Sequence, residues 1–250
     1  MVRTLLVRGM LVGIVAGLVA FGFLKLYGEP QLDRALLFET QLEHGEAADE
    51  KAGAHASDEQ RELVSRPVQA GIGLFTGVLV YCAAFGGLFG LAFAFAYGRV
   101  GAGLSPQAMA ALLAAIGFVV VYLVPSLKYP ASPPAVGDAE TIGLRTALYF
   151  IMIALSLVAM IASVSLKRLL VPRFGDWNAI VIAAGCYVAL VALAAFVLPA
   201  IDEVPDQFPA AVLWQFRVAS IGAQFIMWAT IGLLFGALTQ RHDPRSANGR

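Results

Sequence analysis

The chain of 250 residues is far more apolar than a soluble domain, because 59% of its residues are hydrophobic, 14% are charged and its mean hydropathy is +0.78. Soluble domains average about 45–50% apolar and about 25% charged residues. The apolar residues fall into blocks of roughly 20 or more, which are long enough to cross about 30 Å of hydrocarbon as helices. The composition therefore excludes an ordinary soluble domain and predicts an integral membrane protein.

Six membrane-spanning helices are predicted in chain order. A continuous apolar run in lipid must be helical, because the backbone finds no water there, and barrel strands would alternate in short segments. The predicted fold is an all-α, polytopic membrane helix bundle that forms a single domain over residues 1–250. The spans cover residues 5–26, 69–97, 106–126, 146–166, 178–198 and 213–238.

The first span follows Arg3 and Arg8, as a signal peptide would, but no A-x-A-like cleavage site follows it. Its glycines are spaced by four residues, which favours close packing of one helix face against another membrane helix. Similar spacing recurs in later spans, where it indicates either subunit contact or, as we favour, packing within one bundle. These glycines are Gly9, Gly13 and Gly17, then Gly73 and Gly77, Gly86 and Gly90, and Gly232 and Gly236.

Two cysteines, Cys82 and Cys186, lie inside apolar blocks. They are expected to act as small hydrophobic side chains, with a thiolate ligand as the alternative.

The connectors carry an uneven charge that orients the chain in the membrane. If the N-terminus is cytoplasmic, the inside segments hold nine of the 17 basic residues but two of the 17 acidic ones, Asp176 and Asp243. Lysine and arginine accumulate in cytoplasmic segments, whereas acidic residues contribute little to this rule. We therefore predict cytoplasmic N- and C-termini, with 239–250 as a cytoplasmic tail. The inside basic residues are Arg3, Arg8, Arg99, Lys167, Arg168, Arg173, Arg241, Arg245 and Arg250.

The first outside connector, 27–68, is the longest polar segment and contains His44 and His55. Imidazole and carboxylate together suit divalent transition metals, but their spacing here matches no recognised ligand motif. The connector is either a solvated outside loop or short amphipathic helix, or a loose collecting site that raises the local cation concentration. Its central acidic residues are Glu43, Glu46, Asp49, Glu50, Asp58 and Glu59.

Two further outside connectors are also acidic. Asp202, Glu203 and Asp206 follow the fifth span, and Asp138 and Glu140 precede the fourth. A cation would be attracted to three acidic connectors in one compartment, although acids also accumulate wherever lysine and arginine are scarce.

The spans themselves contain almost no ionisable groups, and Gln224 is the clearly polar residue deep in one of them. No buried chain of acids and histidines indicates a proton relay, and no G-x-x-x-x-G-K-[ST] loop indicates ATP binding. The sequence also lacks a Ser-His-Asp set and an H-E-x-x-H motif. We therefore expect no enzyme activity, no permanently bound cofactor and no nucleic-acid partner.

The Pro-rich outside connector 127–145 includes the stretch KYPASPPAVGDAETIGLR. Proline fixes φ and removes a hydrogen-bond donor, so this segment is expected to be semi-rigid and extended. Asp138 or Thr141 is expected to cap span four, with Glu140 near its first turn. The connector is either a stiff loop that holds two carboxylates and Arg145 in fixed relation over the outer mouth, or a rigid linker with ordinary caps and one ion pair.

Three segments together resemble the CbtA family of cobalt-transporter subunits. PSLKYPASPPAVGDAETIGLRT at 125–146 is similar to the signature region of that family, and the matching order of spans and connectors covers nearly the whole chain. The other two segments are RGMLVGIVAGLVAFGFLKLYGEP at 8–30 and LPAIDEVPDQFPAAVLWQFRVAS at 198–220.

The resemblance implies a multi-pass protein of the bacterial inner membrane, associated with cobalt uptake for cobalamin synthesis. It also implies a small one-span partner, CbtB, with a histidine-rich end. The family is usually described with about five spans, whereas six are predicted here. The matching positions share the predicted outer face: Gly28, Glu29, Pro30, Lys128, Tyr129, Pro130, Pro133, Pro134, Gly137, Asp138, Thr141, Gly143, Arg145, Glu203, Pro205, Phe208, Pro209, Phe216 and Arg217.

Two functions remain open at this point. The first is a transporter subunit that moves Co²⁺ from the outer face through the bundle, although nickel or zinc would accept the same mixed oxygen and nitrogen ligands. The second is a non-transporting scaffold, because transporters usually keep ligands near the membrane centre and these spans are sparsely polar. Structural or gating roles are expected for Lys128, Arg145 and Arg217. The candidate metal ligands are Glu29, Asp138, Glu140 and Glu203, helped by His44 and His55.

Overall fold

A computed structural model describes residues 2–50, 65–99, 103–138 and 140–241, with side chains described up to Gln41 in the first range. Within these ranges the chain is helical and has no strands, which confirms the predicted all-α membrane fold. The helices are α1 (Val2–Phe23), α2 (Glu29–Glu50), α3 (Arg66–Val68), α4 (Leu74–Ala96), α5 (Pro106–Gly117), α6 (Val124–Lys128), α7 (Ile142–Val197) and α8 (Ala210–Gln240).

Three π-helical turns join neighbouring helices into longer rods. Leu24–Gly28 joins α1 to α2, Gln69–Gly73 joins α3 to α4, and Phe118–Leu123 joins α5 to α6. The residues that flank each turn have right-handed helical dihedrals, so the helix continues through it with one wider turn. The first predicted span therefore does not end in a loop, because residues 29–50 of the predicted connector 27–68 continue as α2.

Five helical segments within the described residues are long and apolar enough to cross a membrane. One of them, α7, has 56 residues, which would measure about 84 Å as a straight helix and exceeds the ~30 Å of a bilayer core. Gly175 interrupts it with φ 76° and ψ 168°. The Ser156 Oγ and Tyr187 Oη atoms lie 2.9 Å apart although 31 residues separate them. α7 is therefore an antiparallel hairpin, and its two arms are the predicted spans four and five.

The chain divides into two compact units. The first consists of Met1–Ile116, Pro133–Ala135 and Gln207–Arg250, and the second consists of Gly117–Ser132 and Val136–Asp206.

In the first unit, α1 packs antiparallel against α4 through glycine. Gly9 faces the backbone of Gly86, and a Cβ atom at Gly13 would overlap the main-chain oxygen of Cys82. Gly232 of α8 similarly lies against Ala114 of α5. Small residues let membrane helices approach this closely, so van der Waals contact can hold them together in lipid. Gly9, Gly13 and Gly232 therefore contact other helices of this chain. A Cβ atom at Gly77, in contrast, would have no neighbour within 4 Å.

The start of α1 and the end of α8, which carry the basic residues Arg3, Arg8 and Arg241, lie at the same end of the first unit. At one end the Arg8 guanidinium donates to the Thr239 hydroxyl at 3.2 Å, which brings the start of α1 beside the end of α8. At the other end Lys25 Nζ donates to the Ala70 carbonyl at 3.0 Å. The start of α1 and the end of α8 thus lie on one side, as the predicted orientation requires.

In the second unit, both arms of the α7 hairpin bury small and hydroxyl side chains, and the Ser156–Tyr187 contact joins the two arms. Ser156, Ala159 and Ser163 are buried on the first arm, and Ala183 and Tyr187 on the second. An ion pair of 2.8 Å between Lys167 Nζ and Asp176 Oδ1 spans the turn of the hairpin. The opposite end of the hairpin carries the loops on either side of α7, and the candidate residues of this unit lie there.

Candidate functional site

The first unit contains a buried acidic residue at the junction between α1 and α2. Glu29 is 8% exposed, and its Oε2 accepts a 2.9 Å hydrogen bond from the Arg66 guanidinium. The same guanidinium lies 2.7 Å from Asp33 Oδ1. We call Glu29, Asp33 and Arg66 the Glu29 cluster. A guanidinium satisfies two carboxylates because it carries five donors in a planar fork.

Two π-helical turns lie beside the Glu29 cluster. Lys25 belongs to the turn Leu24–Gly28, and its ammonium binds a carbonyl in the turn Gln69–Gly73, at Ala70. Such turns are found frequently at functional sites because they widen the helix and redirect backbone groups. The first unit thus has two widened helices and a buried carboxylate at the same end.

The second unit gathers its polar side chains around Glu203. Glu203 Oε2 accepts hydrogen bonds from the Asp138 amide at 2.9 Å and the Thr141 hydroxyl at 2.8 Å. It also lies 3.4 Å from Arg145 Nε. We call Asp138, Thr141, Arg145 and Glu203 the Glu203 cluster. A single carboxylate therefore joins the Pro-rich loop, the start of α7 and the loop that follows α7.

The Pro-rich loop wraps around the guanidinium of Arg145. The Arg145 Nη2 atom donates to the Asp138 carbonyl at 3.0 Å, and Nη1 lies 3.5 Å from the Val136 carbonyl. Gly137 lies between these two carbonyls with φ 104°, and a Cβ atom there would overlap the guanidinium. Both the dihedral and the space therefore require glycine at this position.

Replacement of Gly137 by alanine is expected to lower the thermal midpoint of the protein in detergent. The dihedral alone costs on the order of 1–3 kcal/mol for a residue with a Cβ atom, and displacement of Arg145 adds to that cost. The control is Gly143→Ala, since a Cβ atom there meets nothing within 4 Å. Equal midpoints for the two variants would contradict the role of Gly137.

A second contact joins the same two loops. The Tyr129 hydroxyl donates to the Pro199 carbonyl at 2.8 Å, and Tyr129 is buried. Burial raises the pKa of Tyr129 above its usual range. Because the folded state favours the protonated phenol, Tyr129 contributes stability at any pH below the ordinary phenol pKa of about 10. That stability is lost as the pH rises through the raised pKa of the folded state. The hydroxyl therefore remains a donor throughout the neutral range.

The expected helix caps are only partly formed. Thr141 is the N-cap residue of α7, but its side chain makes no capping hydrogen bond. Its hydroxyl is instead within hydrogen-bonding distance of Glu203 and of the Asp138 carbonyl. Asp138 Oδ1 accepts a 3.0 Å hydrogen bond from the Glu140 amide, ahead of the first turn of α7. Thr141 therefore occupies the predicted N-cap position, but its side-chain oxygen accepts no hydrogen bond from the first turn of α7.

The remaining predicted residues lie in different surroundings. Lys128 ends α6 and places its ammonium 5.9 Å from the centre of the Tyr129 ring. Arg217 lies half-buried in α8, and the side chain of Glu140 is exposed. His55 lies outside the described residues, and His44 lies in α2, in the part of that helix whose side chains are not described.

The described parts of the chain contain no group of three or more His, Cys, Asp or Glu side chains arranged to hold a metal ion. Within the second unit the main-chain amide of Asp138 contacts the Glu203 carboxylate, whereas Glu29 belongs to the first unit. The structure also identifies Arg66 and Thr141 as partners of predicted carboxylates. No local sequence signal indicated Arg66, which lies 37 residues from Glu29.

Comparison with known proteins agrees with the architecture. The family model described as CbtA, probable cobalt transporter subunit, matches residues 2–240. No curated protein and no solved structure matches the chain. The family consists of transporter subunits, and the several membrane-spanning helices make this chain a multi-pass membrane protein. Because the match covers nearly the whole chain, this protein belongs to the CbtA family of probable cobalt transporter subunits.

Proposed function

We propose that this chain is the membrane subunit that collects Co²⁺ at the periplasmic face of the bacterial inner membrane, in an uptake system that supplies cobalamin synthesis. Membership of the CbtA family supports cobalt as the ion. The proposal includes a small one-span partner of the CbtB type, whose histidine-rich end would add nitrogen ligands to the oxygen ligands of this chain.

The observation that carries the proposal is the position of the Glu203 cluster within the second unit. Lys167 and Asp176 pair across the turn of the α7 hairpin, and the Glu203 cluster lies at the other end of the same hairpin. The basic residues near the turn favour a cytoplasmic location for it. The Glu203 cluster then faces the periplasm. Its loops carry the carboxylates Asp138, Glu140, Asp202, Glu203 and Asp206.

These carboxylates suit the capture of a cation in two steps. Asp138, Glu140 and the exposed Asp202 and Asp206 attract the ion and raise its local concentration. Glu203 is less exposed and is neutralised by Arg145 at 3.4 Å. An arriving divalent cation competes with the guanidinium for Glu203, and Asp138, whose main-chain amide contacts Glu203, belongs to the same loop cluster. On capture, the cation thus replaces Arg145 as the positive partner of Glu203.

Flux of Co²⁺ into liposomes that contain the chain, with and without its partner, tests this function. Glu203→Gln keeps an oxygen acceptor but removes the charge, and Asp138→Asn does the same. We expect either change to slow influx on the order of tenfold, because electrostatic attraction raises association rates by about 10–10³. The control is Asp176→Asn, which removes a carboxylate at the other end of α7. Unaltered influx in both Glu203→Gln and Asp138→Asn would refute the proposal.

A scaffold that holds another subunit is the second candidate function. It is favoured by the pairing of Glu29 and Asp33 with Arg66 and of Glu203 with Arg145, since ion-paired carboxylates also serve to fix loops. Equilibrium binding of Co²⁺ to the purified chain in detergent separates the two functions. If the chain collects the ion, the purified chain alone must bind Co²⁺. If the chain is a scaffold, Co²⁺ binds only when the partner subunit is present. Competition by Ni²⁺ in the same assay tests the choice of ion.

A further inference from the structure

An open groove lies between α1 and α8 at the basic end of the first unit. Its volume is about 550 Å³, within the usual range of ligand sites. Spacings of three and four residues place its α1 residues on one helix face. The groove is lined by Arg3, Thr4, Val7, Arg8, Leu11 and Leu238.

The polar part of the groove is built to receive an anion. Arg8 is held in place by its 3.2 Å hydrogen bond to Thr239, which uses one of the five guanidinium donors. Arg3 adds a second guanidinium, and Thr4 adds a hydroxyl. Among the residues that the structure describes, no carboxylate forms an ion pair with Arg3 or Arg8. Two guanidiniums for which the described residues supply no carboxylate partner match the charge of a phosphate group, and a guanidinium can bind phosphate through two parallel hydrogen bonds.

The apolar part of the groove distinguishes a lipid from a free anion. Val7 and Leu11 continue along the same face of α1 toward the membrane interior, and they are 46% and 60% exposed. Leu238 supplies an apolar wall from α8. A free phosphate would contact only the arginine end, whereas a phospholipid would also place an acyl chain along these side chains.

We propose that this groove binds the headgroup of an anionic phospholipid from the cytoplasmic leaflet. Arg3 and Arg8 hold the phosphate, and Val7, Leu11 and Leu238 contact the start of an acyl chain. The charge rule that orients the chain places this end of α1 in the cytoplasm. That leaflet carries the anionic lipids, and basic pockets between membrane helices on this side bind their headgroups. The lipid would join α1 to α8 and stabilise the first unit.

Binding is tested with the purified full chain in detergent, by native mass spectrometry and by thermal unfolding with added phosphatidylglycerol. Phosphatidylcholine and inorganic phosphate are the comparison ligands. We expect phosphatidylglycerol to be retained and to raise the thermal midpoint, and the comparison ligands to have little effect. The double variant Arg3→Gln/Arg8→Gln is expected to bind phosphatidylglycerol about 30-fold more weakly.

The control variant is Arg99→Gln/Arg241→Gln, which removes two positive charges at positions that do not line the groove. Its affinity for phosphatidylglycerol is expected to match that of the parent chain. If the glutamine variant at positions 3 and 8 does not fold, Arg3→Lys/Arg8→Lys keeps the charge and should weaken retention by a smaller factor. Equal stabilisation by inorganic phosphate or by phosphatidylcholine would overturn the proposal. Equal loss of binding in the control variant would overturn it as well. None of these measurements depends on metal transport.

Discussion

Replacement of Gly13 by alanine is expected to lower the free energy of unfolding by about 1–3 kcal/mol, because it forces extra volume into a close-packed contact. The new Cβ atom would overlap the main-chain oxygen of Cys82 and lie 2.9 Å from the Ala83 Cα atom. Backbone atoms of a membrane helix cannot rotate away as a side chain can, so α1 and α4 must separate. Separation removes the van der Waals contact on which helix association in lipid depends. Unfolding in mixed micelles measures the loss.

The matched control is Gly77→Ala, in the α4 helix that Gly13 contacts. A Cβ atom at Gly77 meets nothing within 4 Å, and alanine has the better helix propensity by about 1 kcal/mol. We therefore expect Gly77→Ala to be neutral or slightly stabilising. A Gly13→Ala variant as stable as Gly77→Ala would show that the contact between α1 and α4 does not hold the first unit together.

Replacement of Arg145 by glutamine is expected to have opposite effects on stability and on Co²⁺ affinity. The loss of the guanidinium leaves Glu203 without its cationic partner and removes the donors to the loop carbonyls. The pair is about one-quarter exposed, so the cost in stability is on the order of 1 kcal/mol after solvent screening. The same change removes a positive charge that competes with a metal ion for Glu203. Co²⁺ affinity of the purified chain is therefore expected to rise on the order of tenfold.

Arg173→Gln is the control for this experiment, because Arg173 lies near the hairpin turn and contacts the Phe174 ring. Its Co²⁺ affinity is expected to equal that of the parent chain. A folded Arg145→Gln variant that binds Co²⁺ no more tightly than the parent would mean that Glu203 holds the loops together and takes no part in collecting the ion. The scaffold function would then be favoured.

The membrane spans were predictable because their signal is local. A run of about 20 apolar residues is sufficient to define a helix in lipid, whatever it packs against. The break at Gly175 was also predictable as a connector, since Lys167, Arg168, Arg173 and Asp176 interrupt the apolar run there. The apolar pattern did not predict that the first helix continues past Gly28 into α2. The polar residues of α2 are as compatible with a loop as with a helix.

The partners of the candidate carboxylates were not predictable. Glu203 lies 65 residues from Asp138, and Glu29 lies 37 residues from Arg66. The Pro-rich segment did indicate a stiff loop near Arg145. Nothing in the local sequence indicated that this arginine would pair with Glu203 rather than with Asp138 or Glu140.

By itself, the sequence determined that this protein is a bundle of membrane helices with acidic connectors, and its motifs indicated the CbtA family. These properties follow from composition, from the length of apolar runs and from the positions of lysine and arginine. Only the tertiary structure decided which carboxylate is neutralised by which arginine, and which glycines pack against backbone. The physical reason is that such contacts join residues far apart in the chain, and they form only after the helices have packed.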